Sequence, residues 1–301
     1  MKNVKNANFL QVDHQIKNIL QKQGVIILPS PESWEKFQWV RKFFKRKPKE
    51  GYFVWVKKQI SFPLTTCVAI ASPRISQDLE NFLLVEKNVK IKANILCEAA
   101  KNHLYGIHKA QGSILLKEGA GLEYEHFHKW GEEDFVNTDY EFILEKDSRL
   151  VYSYKNLFPP KNLSLKTKIQ GYKNSSSNLT IVAKALNSKI DIKDNIFLRG
   201  EKSQAIARLR LVGERQSQIQ AVSKIFALSS GKGHLDCQGL LVDKEAKISL
   251  IPQLVCKNKE AQITHEASIG KINEEQLTYL RMRGLTETQA IDLIINGFLK
   301  T

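Results

Sequence analysis

The chain has 301 residues, a hydrophobic content of 42% and a net charge of +15 at pH 7. This length allows one elongated domain or two compact ones. The sequence lacks an apolar run long enough to predict a membrane span, and the polar segment from Met1 to Gln15 is unlike a secretory signal. The positive charge favours polyanions or acidic protein partners.

The four cysteines, Cys67, Cys97, Cys237 and Cys256, are far apart in the sequence and form no CxxC pair. A disulfide framework in a small secreted domain would be denser. We therefore expect reduced thiols in a cytoplasmic protein, with one or two of them as alternative metal or sulfur ligands. Cys256 follows two apolar residues of a predicted strand, so we expect it in the core.

Residues 1–111 are predicted to form a mixed α/β region. The apolar spacing of residues 9–23 is compatible with a short amphipathic helix, and residues 34–44 are compatible with a second one. A short strand is predicted at 25–28, before two prolines, and further strands at 52–56 and 64–70.

A basic stretch, residues 41–49, is interleaved with aromatic residues. Such a pattern could bind single-stranded nucleic acid by charge and stacking. A solvated basic face whose aromatic side chains lie in a core is the favoured interpretation, and nucleic acid is an unlikely partner.

Short alternating segments recur from residue 112 onwards, and each opens with a small or polar residue. Alternation with a period of two indicates strands, and the near-regular spacing of their starts indicates a repeated unit. The unit fits a coil of a β-solenoid, while an antiparallel sandwich remains open. The segments begin at Ser148, Ser177, Ser188, Ser203, Ser217, Gly233, Ala246 and Ala261.

Residues 273–301 are predicted to form two capped helices. Asn273 and Thr286 are suited to N-caps, each with a glutamine at the N3 position, and Gly284 is suited to end the first helix. We expect these helices to cover the open end of the solenoid, because an unpaired strand edge invites aggregation.

A histidine pair, His126 and His128, has a spacing that places both rings on one face of a strand. This is a usable spacing for a metal site. No cysteine or third histidine lies nearby in the sequence, so a surface strand pair is the favoured interpretation.

The C-terminal part of the chain carries a distinctive series of motifs. It runs from His265-Glu266-Ala267 through Gly270 and the acidic pair Glu274-Glu275 to Gln276, Tyr279, Arg283-Gly284 and Asn296-Gly297-Phe298. This series resembles the C-terminal signature of the SufB/SufD family, the non-ATPase scaffold subunits of an iron–sulfur cluster assembly machine. The resemblance covers roughly residues 112–301.

The resemblance implies a right-handed parallel β-helix core over residues 112–272. It also makes His265 and Glu266 candidate metal ligands, with Cys237 as a further residue of a transient iron–sulfur cluster site at an interface with a partner chain. In SufB-like proteins a sulfur-receiving cysteine follows the position of Cys237 along the chain. Here the corresponding residue is Ala246, which favours a SufD-like member.

The implied protein is a scaffold and not an enzyme, and no catalytic residue is predicted. Its implied partners are a SufC-like ABC ATPase, bound through the C-terminal helices, and a SufB-like subunit or a second copy, paired through the β-helix. Two alternatives stay open: a basic nucleic-acid-binding solenoid and a carbohydrate-active β-helix enzyme. Such an enzyme would need carboxylates at matching positions of successive coils, and the sequence shows no cluster of this kind.

Overall fold

The computed structural model describes residues 8–300. The polar segment from Met1 to Gln15, which is unlike a secretory signal, therefore lies partly outside the described residues. Most of the chain is in strands. In chain order they are β1 Phe9–Val12, β2 Gln15–Ile19, β3 Val25–Pro29, β4 Tyr52–Val56, β5 Leu64–Ile70, β6 Ser76–Val85, β7 Lys90–Ala99, β8 Ile107–Leu116, β9 Gly121–Lys129, β10 Phe135–Leu144, β11 Arg149–Phe158, β12 Asn162–Gly171, β13 Ser176–Leu186, β14 Lys189–Leu198, β15 Gln204–Glu214, β16 Gln218–Ala227, β17 Lys232–Leu241, β18 Lys247–Cys256 and β19 Gln262–Lys271.

Three α-helices and one 3-10 helix complete the described chain. The α-helices are α1 Ser30–Lys36, α2 Glu274–Met282 and α3 Glu287–Leu299, and the 3-10 helix is Gln38–Phe43. None of the helices in residues 8–300 is long and apolar enough to span a membrane.

The strands alternate between two parallel sheets, which identifies the fold as a β-solenoid. Sheet A has the order β19-β17-β15-β13-β11-β9-β7-β5-β1-β2, and sheet B has the order β18-β16-β14-β12-β10-β8-β6-β4-β3. Only the pairs β1–β2 and β3–β4 are antiparallel among the named strands. The predicted parallel β-helix is confirmed.

Each coil contributes one strand to each sheet, so equivalent residues recur after two strands. Tyr140 of β10 pairs with Thr167 of β12, and Cys97 of β7 pairs with His128 of β9. The spacing predicted between segment starts therefore corresponds to half a coil. The predicted segments coincide with β11 and β13–β19, and no predicted segment corresponds to β9, β10 or β12.

The corners that precede β7, β9, β11, β13 and β15 of sheet A repeat a left-handed residue. Asn88, Asp147 and Asn174 have φ between 56° and 61°, a region that asparagine and aspartate tolerate well. Their backbone N–H groups donate to the next coil, as from Asn174 to the carbonyl of Glu201 at 2.9 Å. At the equivalent position Gly119 (φ 69°) a side chain would collide with Asn88.

The interior is filled by every second residue of each strand. On β10 the inward residues are Val136, Thr138, Tyr140, Phe142 and Leu144, all at most 3% exposed. Burying one such aliphatic or aromatic side chain contributes about 1.5–3 kcal/mol. The stacked coils share one continuous apolar core.

The N-terminal residues differ from the predicted helices. Residues 9–23 hold β1 and β2, because Phe9 is fully buried and β1 adds to the edge of β5 as a parallel strand. The prediction of one helix at 34–44 is also wrong. Helix α1 ends at Lys36, extended Phe37 breaks it, and the 3-10 helix follows. The strands predicted at 25–28, 52–56 and 64–70 are confirmed.

The parallel pairing begins before residue 112, since β4 already pairs with β6 and β5 with β7. The division of the chain at residues 111 and 272 stays a prediction.

The basic stretch 41–49 packs its aromatic side chains against sheet B. Phe43 stacks on Phe82 at 4.6 Å between ring centroids, and Phe44 is 6% exposed. Lys45 and Lys47 lie 2.5 and 2.7 Å from acidic side chains. Residues 41–49 therefore form a solvated basic face whose aromatic side chains are packed, as the sequence predicted.

Replacing Gly112 with alanine should destabilise the fold by about 1–3 kcal/mol, because the new methyl group would overlap the Tyr140 ring. Tyr140 is 1% exposed and accepts a hydrogen bond from Asn81 Nδ2 at 3.2 Å, so the ring cannot swing away freely. Thermal unfolding followed by circular dichroism measures the effect. Gly270→Ala is the control, since its methyl group would meet nothing within 4 Å. Equal melting temperatures for the two variants would contradict this packing.

Candidate functional site

The predicted site residues lie on the last two strands of sheet A. Cys237 is on β17, and His265 and Glu266 are on β19. In the parallel register Leu235 pairs with His265, Asp236 with Glu266, and Cys237 with Ala267.

His265 lies on the inward-facing side of the last strand. Its register partner Leu235 is fully buried in the core, whereas His265 is exposed. The difference arises because β19 is the final strand of sheet A, so no further coil covers it. The imidazole is therefore free to meet a ligand or a second chain at the end of the solenoid.

Glu266 points to the opposite side of β19, as alternation in a strand requires. Its Oε1 lies 3.7 Å from Nε2 of His234 on the outer face of sheet A. His234 in turn shares a hydrogen bond of 2.8 Å with the Thr264 hydroxyl. The structure thus does not bring His265 and Glu266 to one point within a single chain.

Cys237 lies in the core one coil before His265 and is 2% exposed. Burial, and then the nearby Asp194 carboxyl, raise the pKa of its thiol to about 12. The thiol is therefore protonated at neutral pH and is a poor nucleophile in this state. Cys237 and His265 face the same interior from neighbouring strands, two register positions apart.

Asp194 is a fully buried carboxyl near this thiol. It accepts a hydrogen bond from the Ser223 hydroxyl at 3.2 Å through Oδ2, and its Oδ1 has no partner among the described residues. Burial raises the pKa of Asp194 to about 7.

The last coil, formed by β18 and β19, leaves its inward-facing side chains uncovered. Ile269 is 46% exposed, while Ile248 and Leu254 are half-buried. Cys256 is also exposed, although its register partner Ala227 is fully buried. The prediction of Cys256 in the core is wrong because its strand is the last one of sheet B.

The C-terminal helices leave this end open. Ile295 of α3 packs with Val212 and Leu240 on the outer face of sheet A. The expectation that the helices cover the end of the solenoid is therefore wrong. Their predicted capping is confirmed: Asn273 accepts from the backbone N–H groups of Glu275 and Gln276, a capping box begins α3 at Thr286, and Gly284 has φ 94°.

A second group of ligand-type side chains lies inside the solenoid. Cys97, His126 and His128 have donor atoms within 4.8 Å of one another, and we call them the buried donor cluster. His126 and His128 are 1% and 3% exposed, so their predicted surface position is wrong. In residues 8–300 no other three Cys, His, Asp or Glu side chains form such a group.

The sequence signal for this cluster was the coil length. Cys97 lies one coil before His128 and is its register partner, so a correct alignment of the early coils would have joined it to the histidine pair. Burial lowers the pKa of His126 to about 3 and that of His128 well below its usual value. Both imidazoles are therefore neutral at physiological pH, and each has one ring nitrogen without a proton.

The fold and its open end define a β-solenoid protein with candidate ligands on its last coil. The family model described as SUF system FeS cluster assembly, SufBD core domain, matches residues 71–298. The chain belongs to the SufBD family, since this match covers most of its length.

Several curated proteins are similar over most of the chain. A SufBD family protein of Methanothermobacter thermautotrophicus is 29% identical over 260 residues, which cover 83% of this chain and 62% of that protein. A SufBD family protein of Archaeoglobus fulgidus is 25% identical over 99% of this chain and 86% of its own length. Iron-sulfur cluster assembly protein SufB of Bacillus subtilis is 22% identical over 259 residues, which cover 83% of this chain and 55% of that protein. The chain thus spans less than two thirds of two of these three relatives.

Replacing Asp194 with asparagine should increase stability at pH 8 and change it least near pH 4. The carboxyl pKa is raised from 3.8 to about 7 in the folded protein. Between these values the folded protein retains a proton that the unfolded chain has lost. The stability contributed by this group is complete below about pH 4 and is lost as the pH rises to about 7, by about 4 kcal/mol at most.

The measurement is the urea midpoint of both proteins at pH 4, 5.5, 7 and 8. Asp292→Asn on the exposed side of α3 is the control. Parallel pH profiles for wild type and Asp194→Asn would show that this carboxyl is ionised in the folded protein at neutral pH.

Proposed function

We propose that this chain is a SufD-like scaffold subunit of a cytoplasmic SUF-type iron–sulfur cluster assembly complex. The observation that carries the proposal is the uncovered last coil, which presents His265 beside an unpaired strand edge. Membership of the SufBD family supports the assembly role. The chain would act by binding and positioning, not by catalysis.

The partner at the open end would be a SufB-like subunit or a second copy of this chain. Strand β19 pairs with β17 on one side only, so its other side offers backbone donors and acceptors to an added strand. The uncovered apolar side chains of β18 and β19 would be buried by the same contact. A partner strand would thereby complete both the hydrogen-bond ladder and the core.

A transient cluster would be held at that interface. Imidazole and carboxylate groups ligate iron, and His265 and Glu266 supply one of each from opposite faces of β19. Iron–sulfur clusters are typically held by several thiolates. Cys237 is buried and position 246 is Ala246, so the partner chain must supply most of the sulfur ligands.

The two C-terminal helices would dock a SufC-like ABC ATPase. Their outer surface carries large apolar side chains, with Tyr279 56% and Met282 82% exposed. A shallow cavity of about 560 Å³ between α2 and α3 is lined by Tyr279, Leu280 and Ile294. Exposed apolar groups of this kind mark a protein contact surface.

His265→Ala should lower the iron and sulfide bound by the complex of this chain with its SufB-like partner. We expect a loss of at least half, because one ligand and its orientation at the interface are removed. Iron content and visible absorption after anaerobic reconstitution measure the loss. His14→Ala, an exposed histidine on the N-terminal coils, is the control.

Two results would refute this ligand assignment. One is an unchanged cluster content in the His265→Ala complex. The other is a stoichiometric cluster on the isolated chain, which would show that no partner is needed.

Tyr279→Glu together with Met282→Glu should weaken co-purification of the ATPase at least tenfold. Both side chains are exposed, so the charges should leave the fold intact while opposing an apolar contact. Tyr172→Glu, at an exposed tyrosine remote in sequence from the helices, is the matched control. Deletion of residues 273–301 should abolish the interaction, provided that the truncated chain stays soluble. Full ATPase recovery with the double variant would contradict docking at this surface.

A further inference from the structure

The buried donor cluster places three metal-binding atoms around one point in the core. Cys97 on β7 and the histidine pair on β9 all face inward from neighbouring strands of sheet A. Sγ of Cys97 lies 3.6 Å from Nε2 of His126, and this nitrogen lies 3.0 Å from Nε2 of His128.

These separations suit a small metal ion. With metal–nitrogen bonds of about 2.0–2.1 Å and a metal–sulfur bond of about 2.3 Å, tetrahedral to trigonal angles place the nitrogens about 3.3–3.6 Å apart and nitrogen and sulfur about 3.6–3.8 Å apart. The two measured separations need changes of about half an ångström or less to reach this geometry. Sγ of Cys97 and the donor nitrogen of His128 lie within 4.8 Å of each other. Rotations of the imidazole rings are sufficient for such changes.

The surroundings of His128 supply the outer support that metal-bound histidines usually have. Nδ1 of His128 lies 2.9 Å from the Tyr154 hydroxyl, whose oxygen can accept a hydrogen bond from the Nδ1–H group and fix the ring with Nε2 directed at the cluster. Tyr154 is fully buried one coil further on. The Nδ1 atom of His126 has no hydrogen-bond partner among the described residues.

The geometry points to a resident metal site in which Cys97, His126 and His128 hold a thiophilic metal ion inside the solenoid. Binding forms one metal–sulfur and two metal–nitrogen bonds and releases the thiol proton of Cys97 to solvent. The inference does not depend on the proposed cluster assembly role.

The charges of the donors favour a monovalent ion. One thiolate and two neutral imidazoles neutralise Cu⁺ and leave a net positive charge on Zn²⁺. Net charge is costly in a dry core, and Cu⁺ prefers soft sulfur donors. We therefore expect Cu⁺ to be held in preference to Zn²⁺.

The position of the site indicates an ion that stays with the protein. His126 lies on β9 and His265 on β19, which are five strands apart in sheet A, or about 24 Å at the usual strand spacing. Because all three donors are at most 3% exposed, exchange requires local opening of the coils. The ion would connect β7 to β9 and so stabilise the N-terminal coils, remote from the open end.

The test uses the full chain expressed in medium supplemented with copper or with zinc and purified without oxygen. We expect about one ion per chain after treatment of the folded protein with a chelator, and release of that ion on unfolding. X-ray absorption of the wild-type protein should show one sulfur at about 2.3 Å and two nitrogens at about 2.0 Å from the metal. Wild-type protein free of metal from both media, or a metal without a sulfur neighbour, would overturn the inference.

Paired cysteine variants test the residue assignment. Cys97→Ser should reduce the retained metal at least tenfold, and His128→Gln should have the same effect. Cys67→Ser is the matched control, since Cys67 is buried to a similar extent on β5 but lies outside the cluster. Equal metal retention by Cys97→Ser and Cys67→Ser would overturn the assignment. If circular dichroism shows that the variants do not fold, the X-ray absorption spectrum of the wild-type protein tests the assignment instead.

Discussion

The parallel hydrogen-bond ladder between successive coils is the constraint on which the rest of this structure depends. A register step such as that from Cys97 to His128, or from Tyr140 to Thr167, places each inward side chain beside its equivalent in the next coil. The corners keep this step through left-handed residues such as Asp147, whose N–H group binds the next coil. The buried donor cluster and the open last coil both follow from the ladder. Stacking assembles the buried donor cluster, and termination of stacking exposes the last coil.

The two sites differ because neighbouring coils determine burial. Cys97 and Cys237 face inward from coils that are covered on both sides, so their thiols have raised pKa values. Cys256 faces the same interior from the last coil and is exposed. Inward-facing positions of this fold thus hold buried, protonated thiols in the middle coils and an accessible thiol at the end.

Much of the repeated part could be predicted from the sequence because its alternation is local. The strands from Ser176 onwards and the caps at Asn273 and Thr286 depend on residues within a few positions of one another. The errors concern positions whose environment is set from a distance. Phe9 becomes part of a strand because β5 offers an edge, and His126 is buried because β10 and β11 enclose it.

The unfinished last coil links folding to association. In a stack of repeats each coil is stabilised by its neighbours, and β18 and β19 have a neighbour on one side only. Any chain that pairs with this edge supplies the missing neighbour, and its binding free energy also orders the last coil. The local stability of this end is therefore a function of partner concentration, whereas the stability of the middle coils is fixed by the chain itself.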